Sequence, residues 1–259
     1  MINGYTEKEK IQLEQAEKIR DGLTKAGISF CKREENDYPR HLLNFSGMPP
    51  ILYYKGNIGI LNQQKSIALI GTRTPSDAGK TLSYESGRRI GTANINLVNG
   101  LALGCDAEAL KGALAAGGKC IAVMPCGLDE IIPKANQRLA EEILEKGGCL
   151  ISEYPPGTKV QKYSYVQRDR LQSGVSNEVV IVEAELKSGT MHTAEFALKQ
   201  HKRMACFYYK MLELHSGNRY LEDTGKAQVL KSLEDMDVLI ANVLAENEDE
   251  YEQLTLELC

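Results

Sequence analysis

The chain has 259 residues, of which 42% are hydrophobic and 25% charged. That balance excludes a wholly disordered chain and suits one main domain with small appendages. Formal charge is −4, but residues 241–259 hold Glu246, Glu248, Asp249, Glu250, Glu252 and Glu257 with no Lys or Arg, so residues 1–240 carry +2 and remain open to an anionic partner.

No apolar run approaches the ~18 residues needed to span a bilayer, and the opening MINGYTEKEK lacks a signal-peptide core. A cytoplasmic protein with no membrane partner is expected. The seven cysteines show no CxxC pair, and several lie in apolar runs, so they read as buried thiols rather than a metal site or a disulfide framework.

In chain order, Ile11, Leu13, Ala16, Ile19 and Leu23 approximate one face of a helix over 6–26. The Met48-Pro49-Pro50 breaker precedes a short strand at 51–54. From Ser66 the pattern becomes regular. Strands are predicted at 66–70, 95–98, 120–124, 149–152, 178–183 and 204–208, with helices at 76–93, 106–116, 134–145, 163–173 and 190–201 between them. This alternation describes βαβ units and predicts an α/β fold: a Rossmann-like, doubly wound, mainly parallel sheet with helices on both faces. Val179-Val180-Ile181-Val182, apolar throughout, suits a central strand. After Tyr208 we expect short helices over 221–233 broken at Gly225, an edge strand at 238–240 and an acidic tail. The organisation read is a helical segment 1–36, a Rossmann-like domain 37–240 and a tail 241–259.

Ligands of open parallel sheets sit beyond the carboxyl ends of the strands. There the chain places Gly71-Thr72-Arg73-Thr74-Pro75-Ser76, then Asn99-Gly100 through Gly104-Cys105-Asp106, then Pro125-Cys126-Gly127, and lastly Ser188-Gly189-Thr190 opening a helix. Gly71, Gly100, Gly104 and Gly189 permit tight turns, Ser76 can cap a helix, and Arg73 adds a cation where helix N-termini already favour anions. Four such loops on one sheet edge suggest a phosphate-lined groove. The dinucleotide and P-loop fingerprints are absent, so no cofactor is expected. A second cluster, Lys159, Lys162, Tyr163, Tyr165, Arg168 and Arg170, interleaves cations with rings, as single-stranded nucleic acid surfaces do; a solvated helix face with tyrosines packed inward fits it equally.

Taken together, these loops resemble those of the DNA-processing protein A (DprA/Smf) family. The resemblance runs from about Tyr38 to Leu233. It includes Ala68-Leu69-Ile70-Gly71-Thr72-Arg73, Asn99-Gly100-Leu101-Ala102-Leu103-Gly104-Cys105-Asp106, Leu150-Ile151-Ser152-Glu153-Tyr154-Pro155-Pro156-Gly157, Arg168-Asp169-Arg170 and Ser188-Gly189-Thr190. It implies a non-enzymatic, dimeric protein that binds single-stranded DNA during natural transformation and recombination and contacts a RecA-type recombinase. It implies phosphate contacts from Arg73, a pocket framed by Arg168 and Arg170, and small polar contacts from Ser152, Gly189 and Thr190; Lys162 and Ser188 lie beside them. The chain departs from the family's Phe-Pro-x-Arg-Asn-Arg at Tyr165–Arg170. There Asp169 places a carboxylate between two arginines, which offsets their attraction for phosphate or pairs with one of them. A competing reading is a nucleotide sensor or nucleoside-monophosphate hydrolase with Glu183 or Glu195 as its acid. No histidine stands in a nucleophile or metal pattern.

Overall fold

A computed structural model describes residues 6–213 and 215–246. Nine strands form one sheet: β1 (Ser29–Lys32), β2 (Ile51–Gly56), β3 (Ser66–Ile70), β4 (Asn96–Asn99), β5 (Cys120–Val123), β6 (Cys149–Ser152), β7 (Glu178–Ile181), β8 (Arg203–Phe207) and β9 (Gln228–Leu230). Their spatial order is β1-β2-β6-β5-β4-β3-β7-β8-β9. β1 and β2 run antiparallel to their neighbours, and every pairing from β6 to β9 is parallel.

Because successive side chains of a strand point to opposite faces, one sheet feeds two cores. Ile67, Leu69, Leu97, Ala122, Leu150 and Val180 enter the first. It is covered by α1 (Glu7–Ala26), α4 (Asp77–Thr92), α5 (Cys105–Ala115), α6 (Gln137–Glu145) and α10 (Leu233–Ala245). Ala68, Ile70, Val98, Ile121, Val179 and Ile181 enter the second, under α2 (Arg40–Leu43), α3 (Ile60–Gln63), α7 (Lys162–Gly174), α8 (Gly189–Lys199) and α9 (Ser216–Asp223). The doubly wound, mainly parallel sheet expected from the alternation is what the chain forms. The helices α4 and α5 touch backbone to backbone: a Cβ on Gly87 would fall 2.0 Å from the Ala109 carbonyl oxygen.

Two expectations are corrected. Residues 238–240 are not a strand but part of α10, and the edge strand is β9 instead. Ser232 caps α10 by accepting from the Asp235 N–H at 3.3 Å, while the Asp235 carboxylate accepts from the Ser232 N–H at 3.1 Å. Buried Met236, Leu239, Ile240 and Val243 then follow at helical spacing. The segment 1–36 is not helical throughout, since β1 pairs with β2 in the register Ser29↔Tyr54 and is built into the sheet. Cys31, Cys105, Cys120, Cys126, Cys149 and Cys206 are free and buried, as expected. Cys259 and the acidic tail from 247 onward lie outside the described residues.

Candidate functional site

From β3 the sheet grows one way through β4, β5 and β6 and the other way through β7, β8 and β9. The loops after β3 and its flanking strands therefore diverge and leave a crevice at the carboxyl ends. A cavity of about 410 Å³ occupies it. It is walled by the β3 loop (Gly71, Thr72, Arg73), the β4 loop (Ala102 and Asp106), the start of α8 (Ser188, Gly189, Thr190, Thr193) and one side of α7 (Tyr165, Arg168, Asp169, Gln172).

Local chemistry holds each wall. Thr72 donates its N–H to the Glu183 carbonyl at 2.7 Å and accepts from the Cys105 N–H at 3.1 Å. A Cβ on Gly71 would lie 2.5 Å from Cys105 Sγ. Gly104 takes φ +78°, and a Cβ there would lie 2.5 Å from the Thr72 carbonyl oxygen, so the β3 and β4 loops can touch only through glycine. Asp106 folds the β4 loop around its carboxylate, which accepts from the N–H groups of Gly100 at 2.9 Å and Ala102 at 3.3 Å. Burial pushes the Asp106 carboxyl up, against the pull of the Arg168 guanidinium and those two amides. On the far side, Asn218 donates to the carbonyls of Val182 at 2.9 Å and Phe207 at 3.0 Å and accepts from the Ala184 N–H at 2.9 Å, fixing the path from β7 toward α8.

The helix α7 sorts the arginines. Residues two apart on an α-helix are turned roughly 200° from each other. Tyr165, Arg168, Asp169 and Gln172 share the cavity side, whereas Arg170 points away. Arg170 pairs instead with Glu153 and donates to Gln167 at 3.2 Å. Arg168 is 6% exposed. Its Nη1 donates to the Val123 carbonyl at 3.1 Å, and its Nε lies 3.1 Å from Asp169 Oδ1. Gly100 provides the space, since a Cβ there would fall 1.3 Å from Arg168 Nη1. Asp169 is 5% exposed and accepts from Gln172 Nε2 at 2.8 Å. Burial pushes its carboxyl up to about 6; Asp106 adds to that rise, while Arg168, His192 and the Gln172 bond oppose it.

Arg73 differs from both. It is exposed, forms no ion pair among the described residues, and rests its Cζ 5.1 Å from the centre of the Tyr165 ring. Beside it α8 begins without a side-chain cap, because the Ser188 hydroxyl donates to the Glu185 carbonyl at 2.6 Å. The first-turn N–H groups of α8 and the positive end of its dipole are thus presented to the cavity edge. A guanidinium, a ring and open amides can together receive a phosphate and the group attached to it.

Of the residues singled out in the sequence, the cavity brings together Gly71, Arg73, Arg168, Ser188, Gly189 and Thr190. Gly100 and Gly104 support it from behind. Ser76 caps α4, accepting from the Gly79 N–H at 3.1 Å and donating to Glu183 Oε2 at 3.0 Å. Ser152 is fully buried and donates to the Cys126 carbonyl at 2.7 Å. Lys162 starts α7 exposed and away from the cavity, and Lys159 pairs with Glu130 at 3.0 Å. The deep pocket is not simply basic, because Asp106 and Asp169 face its two arginines. Gln172 and Thr193 were missed; helical spacing from Tyr165 and Arg168 would have found Gln172.

Comparison with known proteins follows from this geometry. A family model described as DNA recombination-mediator protein A matches residues 29–240. The chain is 36% identical over 171 residues to Protein Smf of Synechocystis sp., covering 65% of this chain and 43% of that one. It is 30% identical over 210 residues to the DNA processing protein DprA of Bacillus subtilis, covering 81% and 70%. The chain therefore spans less than half the length of the Synechocystis relative. The structure of DNA processing protein A from Helicobacter pylori, described for its single-stranded DNA binding mode, superposes with a TM-score of 0.75 at 29% identity, over 85% of this chain and 97% of that one. Among the described residues no helix is long and apolar enough to cross a membrane. The strand order, the loops around the crevice and the span of the match agree that this chain belongs to the DNA recombination-mediator protein A family.

Proposed function

We propose that the chain binds single-stranded DNA at the crevice beyond β3, as a non-enzymatic DNA-processing protein of uptake and recombination. One observation carries this reading: Arg73 stands exposed and without a carboxylate beside the uncapped N-terminus of α8 and over the Tyr165 ring. A phosphate there meets a fork of donors and open amides, and the neighbouring base meets an aromatic face. The hydrolase reading lacks its acid, since Glu183 accepts from the Ser76 N–H and hydroxyl at the start of α4 and does not line the cavity.

By family relationship the bound strand is passed to a RecA-type recombinase, and the working form is a homodimer. The test is a titration of single- and double-stranded oligomers at low salt. Single strands should bind more tightly, and Arg73→Ala should weaken that binding by about tenfold and flatten the log–log salt slope by about 0.7. Equal affinity for both forms, or an unchanged slope in the variant, overturns the reading. Adding a recombinase to the same titration tests the hand-over: faster filament growth on pre-bound strands supports it.

A further inference from the structure

Behind the phosphate-receiving edge, the wall formed by α7 has a different chemistry. Arg168 presents donors and Asp169 presents acceptors side by side, 3.1 Å apart at their nearest atoms, in a cavity of about 410 Å³. Both are nearly enclosed. Asp169 Oδ1 is committed to Gln172 and Arg168, but Oδ2 has no hydrogen bond among the described residues. Gln172 is 2% exposed; with its Nε2 given to Asp169, its Oε1 is left without a partner. Asp106 is already spent on the amides of Gly100 and Ala102. A second phosphate would meet these carboxylates and be repelled. A neutral ring carrying both N–H groups and a carbonyl would satisfy them.

We infer that the inner cavity is a nucleobase pocket that selects guanine in the bound strand, with Asp169 accepting from its amino and ring N–H groups and Arg168 donating to its O6. This rests on the single-strand reading of the outer edge. Only guanine places two adjacent donors beside an acceptor on one edge. Cytosine and adenine supply one amino group each to Asp169. Thymine supplies a single N–H flanked by two carbonyls, one of which must face the carboxylate. Buried polar groups left unmatched penalise the wrong ligand more than a lost contact does, so the pocket discriminates most strongly against thymine. The volume falls within the ~300–1,000 Å³ usual for small-molecule sites, enough for one base and its sugar.

The test compares, at neutral pH and low salt, an all-dT oligomer with oligomers carrying one central dG, dA, dC or deoxyinosine, by fluorescence anisotropy on the whole chain. One dG should tighten binding by about tenfold, the gain expected of one bidentate base contact. Deoxyinosine, which lacks the amino group, should retain only part of that gain. Asp169→Asn, which cannot accept from both donors, should abolish the dG preference while still binding the all-dT strand. Affinities for dG and dT within twofold of each other overturn the base pocket while leaving the single-strand reading intact. Deoxyinosine equal to dG overturns the role given to Asp169. No binding to any oligomer overturns both.

Discussion

Asp169 offers the sharpest test of how the crevice attracts phosphate. Its carboxylate lies 3.1 Å from Arg168 and so neutralises much of the charge that a bound strand would feel. A phosphate held by Arg73 and the start of α8 would be roughly 7 Å away. At an effective dielectric of about 20–40, one unit charge at that distance repels it by about 1–2 kcal/mol. Asp169→Asn should therefore tighten binding of an all-dT strand by about 5- to 30-fold and steepen the salt slope by about 0.7. Asn keeps the oxygen that accepts from Gln172 Nε2, and Arg168 stays close to Asp106, so the fold should survive the change.

The same charge predicts a pH profile. Burial raises the Asp169 carboxyl to about 6, with Asp106 adding to the rise and Arg168, His192 and Gln172 opposing it. The wild-type chain should therefore bind more tightly as pH falls through about 6, whereas Asp169→Asn should not show that rise; a His192→Gln background removes the imidazole that faces the same carboxylate. In stability the sign is fixed as well. A carboxyl raised by folding contributes stability below its unfolded pKa, and this is lost as pH rises through about 6. Thermal melts across that range should lose this component in the Asn variant. If Asp169→Asn binds an all-dT strand no better than wild type while melting normally, the electrostatic account of the crevice is wrong.

Three further outcomes follow from the packing. Gly100→Ala must expel the Arg168 guanidinium, since the new Cβ would lie 1.3 Å from Nη1, so its loss of DNA affinity should match that of Arg168→Ala in the same titration. Arg170→Ala should leave affinity within about twofold but lower stability by about 3 kcal/mol in denaturant unfolding, because it strands the half-enclosed Glu153 carboxyl. Gly87→Ala should cost about 2 kcal/mol or more by forcing α4 away from α5, visible as a lower Tm with no change in the salt slope of binding.

What could be read from the residues and what could not divide along physical lines. Periodicity is local, so the alternation of apolar strands with amphipathic helices announced the parallel sheet, and Val179–Val182 announced its centre. The error at 238–240 was also local. Three apolar residues in a row fit a strand or a helix, and the Ser232-x-x-Asp235 cap that decides for the helix was passed over. Arg168 and Arg170 could have been separated by counting turns along α7, for a helix cannot aim both at one point.

The pairing of Asp169 with Arg168 was foreseen only as one of two options, because neighbouring residues on a helix need not touch. The slot at Gly100 decides it by holding the guanidinium in place. The residue order alone determined that glycine-bearing loops would gather at one end of the sheet, since parallel strands joined by helices leave them nowhere else to go. Which loops meet, which cation stays unpaired and where acceptors line the wall were settled by three-dimensional packing, because those facts depend on side chains brought together from positions about 100 residues apart, such as Gly71 and Asp169.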